Sequence, residues 1–323
     1  MTLFKQINFC EKGAAMPRNT KWGAFSLGLI LLLQTGCSLT PINRDRSMAP
    51  TPPDRKPDSA SLVNYLNLNA QKVTNVRAKV DIDCKQGRQA VGLGGRLACQ
   101  KPKDFRLKAD VLGKPAVDIG SNNDEFWYWI SQAQPPYVYH CSYRDLSTGK
   151  VNVPFPFHPE MVLAALGIAE FDASGKYEIK ENAKTVELIQ DATTTAGEEV
   201  KRITVFNRFQ AGPNQPQVLG HVLQDLKGKP ICRAVVQKVT VDRNTGAVLP
   251  TVVTIEWPAQ ELSMKLMLSD LQTNGLDQTA SGRLFRRDDL TGHEAYDLAR
   301  GKVDSASNFR RAGATSLLPT KQN

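Results

Sequence analysis

Histidine is scarce: His140, His158, His221 and His293 are the whole supply in 323 residues. None falls in HExxH spacing, and none sits at zinc spacing with a cysteine. There is no GxSxG elbow. Gly92-Leu93-Gly94-Gly95 lacks the lysine of a P-loop and lies in a strand-forming run, so it marks a bulge or bend. Ser147-Thr148-Gly149-Lys150 is a turn. His140 and Cys141 are neighbours, but consecutive strand side chains point to opposite faces, which keeps them from working as a nucleophile pair. These absences predict no catalytic residues, no metal and no cofactor. No arginine-rich helix, zinc-finger spacing or aromatic RNA-binding motif accompanies the net charge of +9, so nucleic acid is not an expected partner. The basic balance then means an anionic membrane surface, or solubility alone. The apolar fraction, 41%, suits a soluble globular domain and not a multi-span membrane protein.

Long apolar runs are also short of what a membrane span needs. Trp22 to Leu33 is uncharged and follows Arg18 and Lys21. That is the layout of a secretory signal peptide. At ~1.5 Å per residue the run falls short of a ~30 Å hydrocarbon core. Leu33-Gln34-Thr35-Gly36-Cys37 follows at once and resembles the bacterial lipobox, cut before a cysteine that carries lipid. Gln34 departs from the leucine usual there. An ordinary signal peptide, or a short anchor with an incidental cysteine, has the same layout. The expected division is a signal peptide over 1–36, with Met16 as an alternative start, and lipid attachment at Cys37. Acyl chains at ~0.8 kcal/mol per buried CH2 would hold such a chain on a bilayer without spanning it. Ser38 follows the cysteine; an aspartate there often retains lipoproteins at the inner membrane, so its absence is compatible with the outer one.

Residues 37–58 carry Pro41, Pro50, Pro52, Pro53 and Pro57 and read as an extended tether. A helix is expected from Asp58 or Ser59 to about Gln71. Alternation then takes over. Val76, Ala78, Val80 and Ile82 alternate with charged residues; a second strand covers about 89–100. Phe105, Leu107, Ala109 and Val111 alternate with Arg106, Lys108 and Asp110. Gly113-Lys114-Pro115 breaks that run, Val117 and Ile119 resume it, and Asn122-Asn123-Asp124 turns into Phe126-Trp127-Tyr128-Trp129-Ile130. Turns this short imply an antiparallel meander. A sixth strand covers 137–142. Pro159 opens a short apolar helix over about 160–169. Seven more strands follow, ending with Leu262–Leu271. The sum is twelve or thirteen antiparallel strands and two helices: a mainly β domain over 59–275 whose sheet must curl. Residues 276–323, with alternation lost and many arginines, read as a basic, disordered tail. Its sharper reading is a contact with anionic headgroups or another envelope polymer. Cys84, Cys99, Cys141 and Cys232 could form disulfides in an oxidising compartment, in any of three full pairings, or remain buried thiols.

A lipobox, a proline-rich spacer, one helix and a run of strands make the sequence similar to the LolA/LolB-like outer-membrane lipoprotein-sorting proteins. The most specific passage is Phe105-Arg106-Leu107, then Val117-Asp118-Ile119-Gly120-Ser121-Asn122, then Glu125-Phe126-Trp127-Tyr128-Trp129. The resemblance covers roughly 59–271. It implies an unclosed β-barrel with covering helices around an apolar cavity for acyl chains of lipoproteins or lipids. It also implies an envelope location, at the outer membrane facing the periplasm, and a periplasmic carrier protein as a partner. Leu107, Val111, Val117, Ile119, Phe126 and Tyr128 are the candidate cavity wall; a packed core is the plainer account of the same face. Trp127 and Trp129 fall on the other side. The exposed apolar loop of the anchored receptors has no match identifiable in the sequence. The alternative function is a non-catalytic envelope sensor or scaffold that uses the fold to bind a protein partner.

Overall fold

The computed structural model describes residues 58–149, 151, 153, 158–194, 197–277, 282–287, 290 and 292–304. The leader, Cys37 and the tether lie outside the described residues. Helices are α1 (Ser59–Ala70), α2 (Tyr143–Leu146) and α3 (Pro159–Ala165). The first strands are β1 (Asn75–Gln86), β2 (Gln89–Gln100), β3 (Asp104–Val111), β4 (Lys114–Ser121), β5 (Glu125–Ile130) and β6 (Val138–Ser142). Next come β7 (Glu178–Glu181), β8 (Thr185–Thr193), β9 (Glu199–Asn207), β10 (Val218–Asp225) and β11 (Pro230–Val241). The last are β12 (Val248–Trp257), β13 (Leu262–Thr273), β14 (Ala295–Asp297) and β15 (Lys302–Val303).

All fifteen strands join one sheet, with β15 at one edge and β7 at the other, so the sheet does not close. Two meanders, β1–β6 and β7–β13, are stitched together where β1 pairs antiparallel with β13. Register follows the apolar alternation: Ile82 lies opposite Leu93 on one side and Leu266 on the other. A one-residue slip would turn that whole set to water. Register shifts in β1 and β3 mark bulges, which add bend and twist.

α1, α2 and α3 lie on one face, the inner one. Asp58 caps α1 by accepting from Ser61 N at 2.7 Å. Its Leu62, Val63 and Leu66 pack on Val186, Leu188 and Phe206. Asn69 pins the far end: its Nδ2 donates to the carbonyls of Gly167 and Val248, and its Oδ1 accepts from Val248 N. In α3 every residue except Glu160 is buried. Its apolar side chains join one large cluster with inner-face residues of β1–β6 and β10–β13. No helix among the described residues is long and apolar enough to cross a membrane.

The expectation of a disordered end from 276 does not hold for the described part of that segment. β14 adds to β6 in parallel, and β15 pairs with β14. The sheet therefore contains one parallel pair that the meander pattern did not predict. Residues 282–287, with Leu290 and His293, lie on the outer face of β3–β6, and Phe285 is buried there. A strand pair of three and two residues carries almost no period-two signal. Residues 305–323 lie outside the described residues.

Candidate functional site

Five of the six candidate wall residues share the inner face. Leu107 pairs with Ile119, and Ile119 with Tyr128, in one row across β3–β5. Phe126 lies one step along, opposite Cys141. Leu107, Ile119, Phe126 and Tyr128 are buried in the large cluster, and Val117 packs against it half-buried. Val111 does not join them; it is half-buried at the end of β3, beyond the bulge. Tyr128 stacks on Tyr139 with ring centroids 5.1 Å apart. Burial, and secondarily Tyr139, pushes the Tyr128 hydroxyl pKa up, so this phenol stays neutral.

The inner layer continues through Val80, Ile82, Leu266, Val253, Ile255 and Trp257. Its polar members are few. His158 Nδ1 lies 3.5 Å from Glu160 Oε1 at the start of α3. Burial works to raise the Glu160 pKa, but the His158 hydrogen bond and the charges of His158 and Arg202 outweigh it and the net shift is downward. His221, fully buried, is held by burial well below its ordinary value, at about 4. Its Nδ1 lies 3.2 Å from Thr204 Oγ1. A cavity of about 50 Å³ beside it, between α1, α3 and β10–β12, holds a water or two and no acyl chain. The four cysteines are free and buried. Burial lifts Cys84 and Cys141 to about 11 and Cys232 to about 12, so these thiols are poor nucleophiles at neutral pH.

The outer face of the same strands is built differently. Arg106 Nε and Nη2 grip the two Asp118 oxygens at 2.7 Å each. Arg106 Nη1 donates to the Leu284 and Arg286 carbonyls at 3.0 and 2.6 Å. Its guanidinium also lies 5.2 Å from the Trp127 ring. Trp127 covers Gly120, where a Cβ would come within 2.2 Å of the indole. Asn122 donates to the Phe285 carbonyl, and Arg287 Nε lies 3.1 Å from Glu125 Oε1. Trp129 packs against His293, centroids 4.7 Å apart, and with Leu290. The polar residues of the Phe105–Trp129 passage thus fasten the C-terminal segment to the sheet.

His140, Asp297 and Asp304 bring one ligand atom each within 4.8 Å of one another. His140 Nε2 lies 2.9 Å from Asp304 and its Nδ1 3.6 Å from Glu125. Arg287 Nη1 stands 3.7 Å from the same Asp304 carboxylate, so a guanidinium already supplies the positive charge there. His140 points outward and Cys141 inward, as strand alternation requires.

One residue the sequence did not single out stands at the tip of the β3–β4 hairpin. Leu112 is 98% exposed and has φ +50°; Gly113 follows with φ +76°. Two positive φ values in a two-residue loop make a turn that favours Asn-Gly. The signal that could have found it is a leucine directly before the turn glycine, between Val111 and Lys114, where neither burial nor turn chemistry calls for one.

No family model matches the chain, and no curated protein matches it. Solved structures of similar shape include a domain described as an outer membrane lipoprotein-sorting protein from Vibrio parahaemolyticus, 13% identical, covering 70% of this chain and 100% of that one, TM-score 0.47. A DUF1329 family protein from Desulfovibrio piger is 12% identical over 70% of this chain and 97% of its own, TM-score 0.45. A third structure similar to this chain is a LolA superfamily protein from Nitrosomonas europaea, 12% identical over 72% of this chain and 99% of its own, TM-score 0.45.

Proposed function

We propose that the protein is a membrane-anchored lipoprotein of the bacterial envelope, held by acylated Cys37 at the outer membrane, that binds acyl chains of lipoproteins or lipids. A periplasmic carrier protein is the partner this role calls for. The observation that carries it is the mismatch between sheet and cover. The inner face of an unclosed fifteen-strand sheet is one apolar layer from Tyr128 to Trp257, while α1 and α3 supply twelve and seven residues above it. A layer of this kind admits hydrocarbon when α3 shifts, because it replaces one apolar contact with another. With only about 50 Å³ free beside His221, this reading requires the acyl site to open on binding. Leu112 supports the same role: an exposed leucine in a disfavoured backbone conformation is retained where it touches something greasy.

The test is uptake of an apolar fluorescent probe by the full chain, displaced by fatty acid. Leu107→Glu or Ile119→Glu should abolish uptake, with folding checked by circular dichroism. Absence of displaceable uptake in the wild-type protein would sink the reading. The burial of the whole inner layer specifically favours the second reading, a sensor or scaffold with a filled interior; that reading predicts a co-purifying protein and no displaceable probe.

A further inference from the structure

The inner face carries a polar cluster that a purely apolar ligand would leave unused, where α3 packs on β10 and β11. His158 is 4% exposed, and its Nδ1 makes a long contact, 3.5 Å, with Glu160 Oε1. The ring's Nε2 and the carboxylate's Oε2 are buried, and neither has a hydrogen-bond partner among the described residues. Buried polar atoms are normally paired, and a charged group left half-paired is costly. Glu160 is nonetheless ionised. Burial works to raise its pKa, but the His158 contact and the charges of His158 and Arg202 bring it down on balance. Burial, and after it Glu160, lifts the Cys232 thiol, which puts the carboxylate over the inner face of β11. Arg202 projects onto the same face from β9, in register with Gln190 and the buried Leu223. It is half-buried and makes no ion pair or hydrogen bond among the described residues. The neighbouring His221 is neutral at pH 7 and already meets Thr204 Oγ1. The cluster thus holds a carboxylate oxygen without a donor and a guanidinium without an anion, near each other but not in contact.

We infer that this cluster holds the phosphoethanolamine head of a phospholipid, with the ammonium on Glu160 Oε2, the phosphate on Arg202 and the acyl chain in the apolar layer under α3. The inference rests on the proposed acyl binding and names the headgroup that goes with it. Oε2 only accepts, so it requires an N–H or O–H, and an ionised carboxylate favours a cationic donor. A choline head carries no N–H. A glycerol head brings a phosphate charge with no cation to set against Glu160. An ammonium and a phosphate two carbons apart can span two protein charges that do not touch. His158 Nε2 serves either end, because an imidazole nitrogen donates or accepts according to its protonation.

The experiment is displacement of an apolar fluorescent probe from the full chain by three amphiphiles with one acyl chain in common. They are lysophosphatidylethanolamine, lysophosphatidylcholine and monoacylglycerol, each below its micellar concentration. The wild-type protein should favour the ethanolamine lipid over the choline lipid roughly tenfold or more, the usual contribution of one hydrogen bond to a charged group. Glu160→Gln should bring that ratio towards one and leave displacement by monoacylglycerol unchanged. Arg202→Gln should weaken both lysophospholipids relative to monoacylglycerol and leave the ratio between them. Lys85→Gln, on the exposed outer side of β1, should move neither ratio. Equal displacement by the two lysophospholipids in the wild-type protein would overturn the inference, whether or not Glu160→Gln folds. So would a preference that survives Glu160→Gln intact, or an Arg202→Gln effect matched by Lys85→Gln. Displacement by monoacylglycerol with no headgroup preference removes this inference alone. Displacement by none of the three removes the acyl-binding reading, and this inference with it.

Discussion

On the inner face of β3–β5, Leu107, Ile119 and Tyr128 lie abreast; one residue along each strand, on the outer face, Arg106, Gly120 and Trp127 lie abreast. The inner row is apolar apart from one phenol, and any set of similar volume fills it. The outer row admits few alternatives. Arg106 must reach two carboxylate oxygens and two carbonyls at once, and Gly120 must stay bare for Trp127 to lie across it. If the proposed function holds, the inner face has to be tolerant to open to hydrocarbon, whereas the outer face has to be specific to hold residues 284–286.

The sharpest way to break this comparison is Arg106→Ala. It leaves Asp118 buried without its partner and releases the Leu284 and Arg286 carbonyls. The expected loss is about 3–5 kcal/mol in urea unfolding. Arg106→Lys should recover little of it, because an ammonium cannot replace the planar fork. A loss under about 1 kcal/mol for Arg106→Ala would mean that the outer face is as forgiving as the inner. Leu107 supplies the matching test. Leu107→Ala should cost about 2–5 kcal/mol by cavity creation, and Leu107→Met less than about 1.5 kcal/mol. If the methionine proved as costly as the alanine, the inner face would be a jigsaw and not an adaptable layer.

His221 tests whether the few polar groups of the inner face behave as its core does. Its ordinary value is 6.5 and its folded value about 4, so between these the unfolded chain binds the extra proton. The neutral ring therefore contributes stability that is complete above pH 6.5 and is lost as pH falls towards 4. At ~1.4 kcal/mol per unit, the loss approaches roughly 3 kcal/mol at the acid end. His221→Phe should lack this limb of the acid sensitivity, so the difference between the two proteins' urea midpoints should change as pH falls from 7 to 4. A difference that stays constant from pH 7 to pH 4 would show that His221 is hydrated in the folded state.

How far these features were legible depended on how local their cause is. Alternation in Phe105–Val111 and Phe126–Ile130 was enough to put Phe126 and Tyr128 on one side and Trp127 and Trp129 on the other, as the structure has them. Pro159 marked the start of α3 for a similar reason, since a proline fits a first helical turn. The partners of Arg106 were not legible, because Leu284 and Arg286 lie about 180 residues away. Their contribution is a pair of backbone carbonyls, which no side-chain pattern announces. The β14 strand failed for the same reason: three residues added in parallel to an edge need an available neighbour more than a strong sequence. Val111 was misplaced because the bulge at Ala109–Asp110 interrupts the period on which its assignment relied.

The smallest effect on stability, and the most informative about function, belongs to Leu112. At φ +50° a leucine costs roughly 1–2 kcal/mol relative to a residue that tolerates left-handed backbone. Its side chain, almost wholly in water, returns no burial energy. Leu112→Asn should therefore stabilise the fold by about 1 kcal/mol, because Asn-Gly is the preferred pair for this turn. If the hairpin tip exists to touch hydrocarbon, the same substitution should weaken capture of acyl probe or vesicles while the protein becomes harder to unfold. A stabilised variant with undiminished capture would make Leu112 a tolerated accident. Opposite signs for stability and binding in one substitution would mark a position at which folding and function make different demands on the chain.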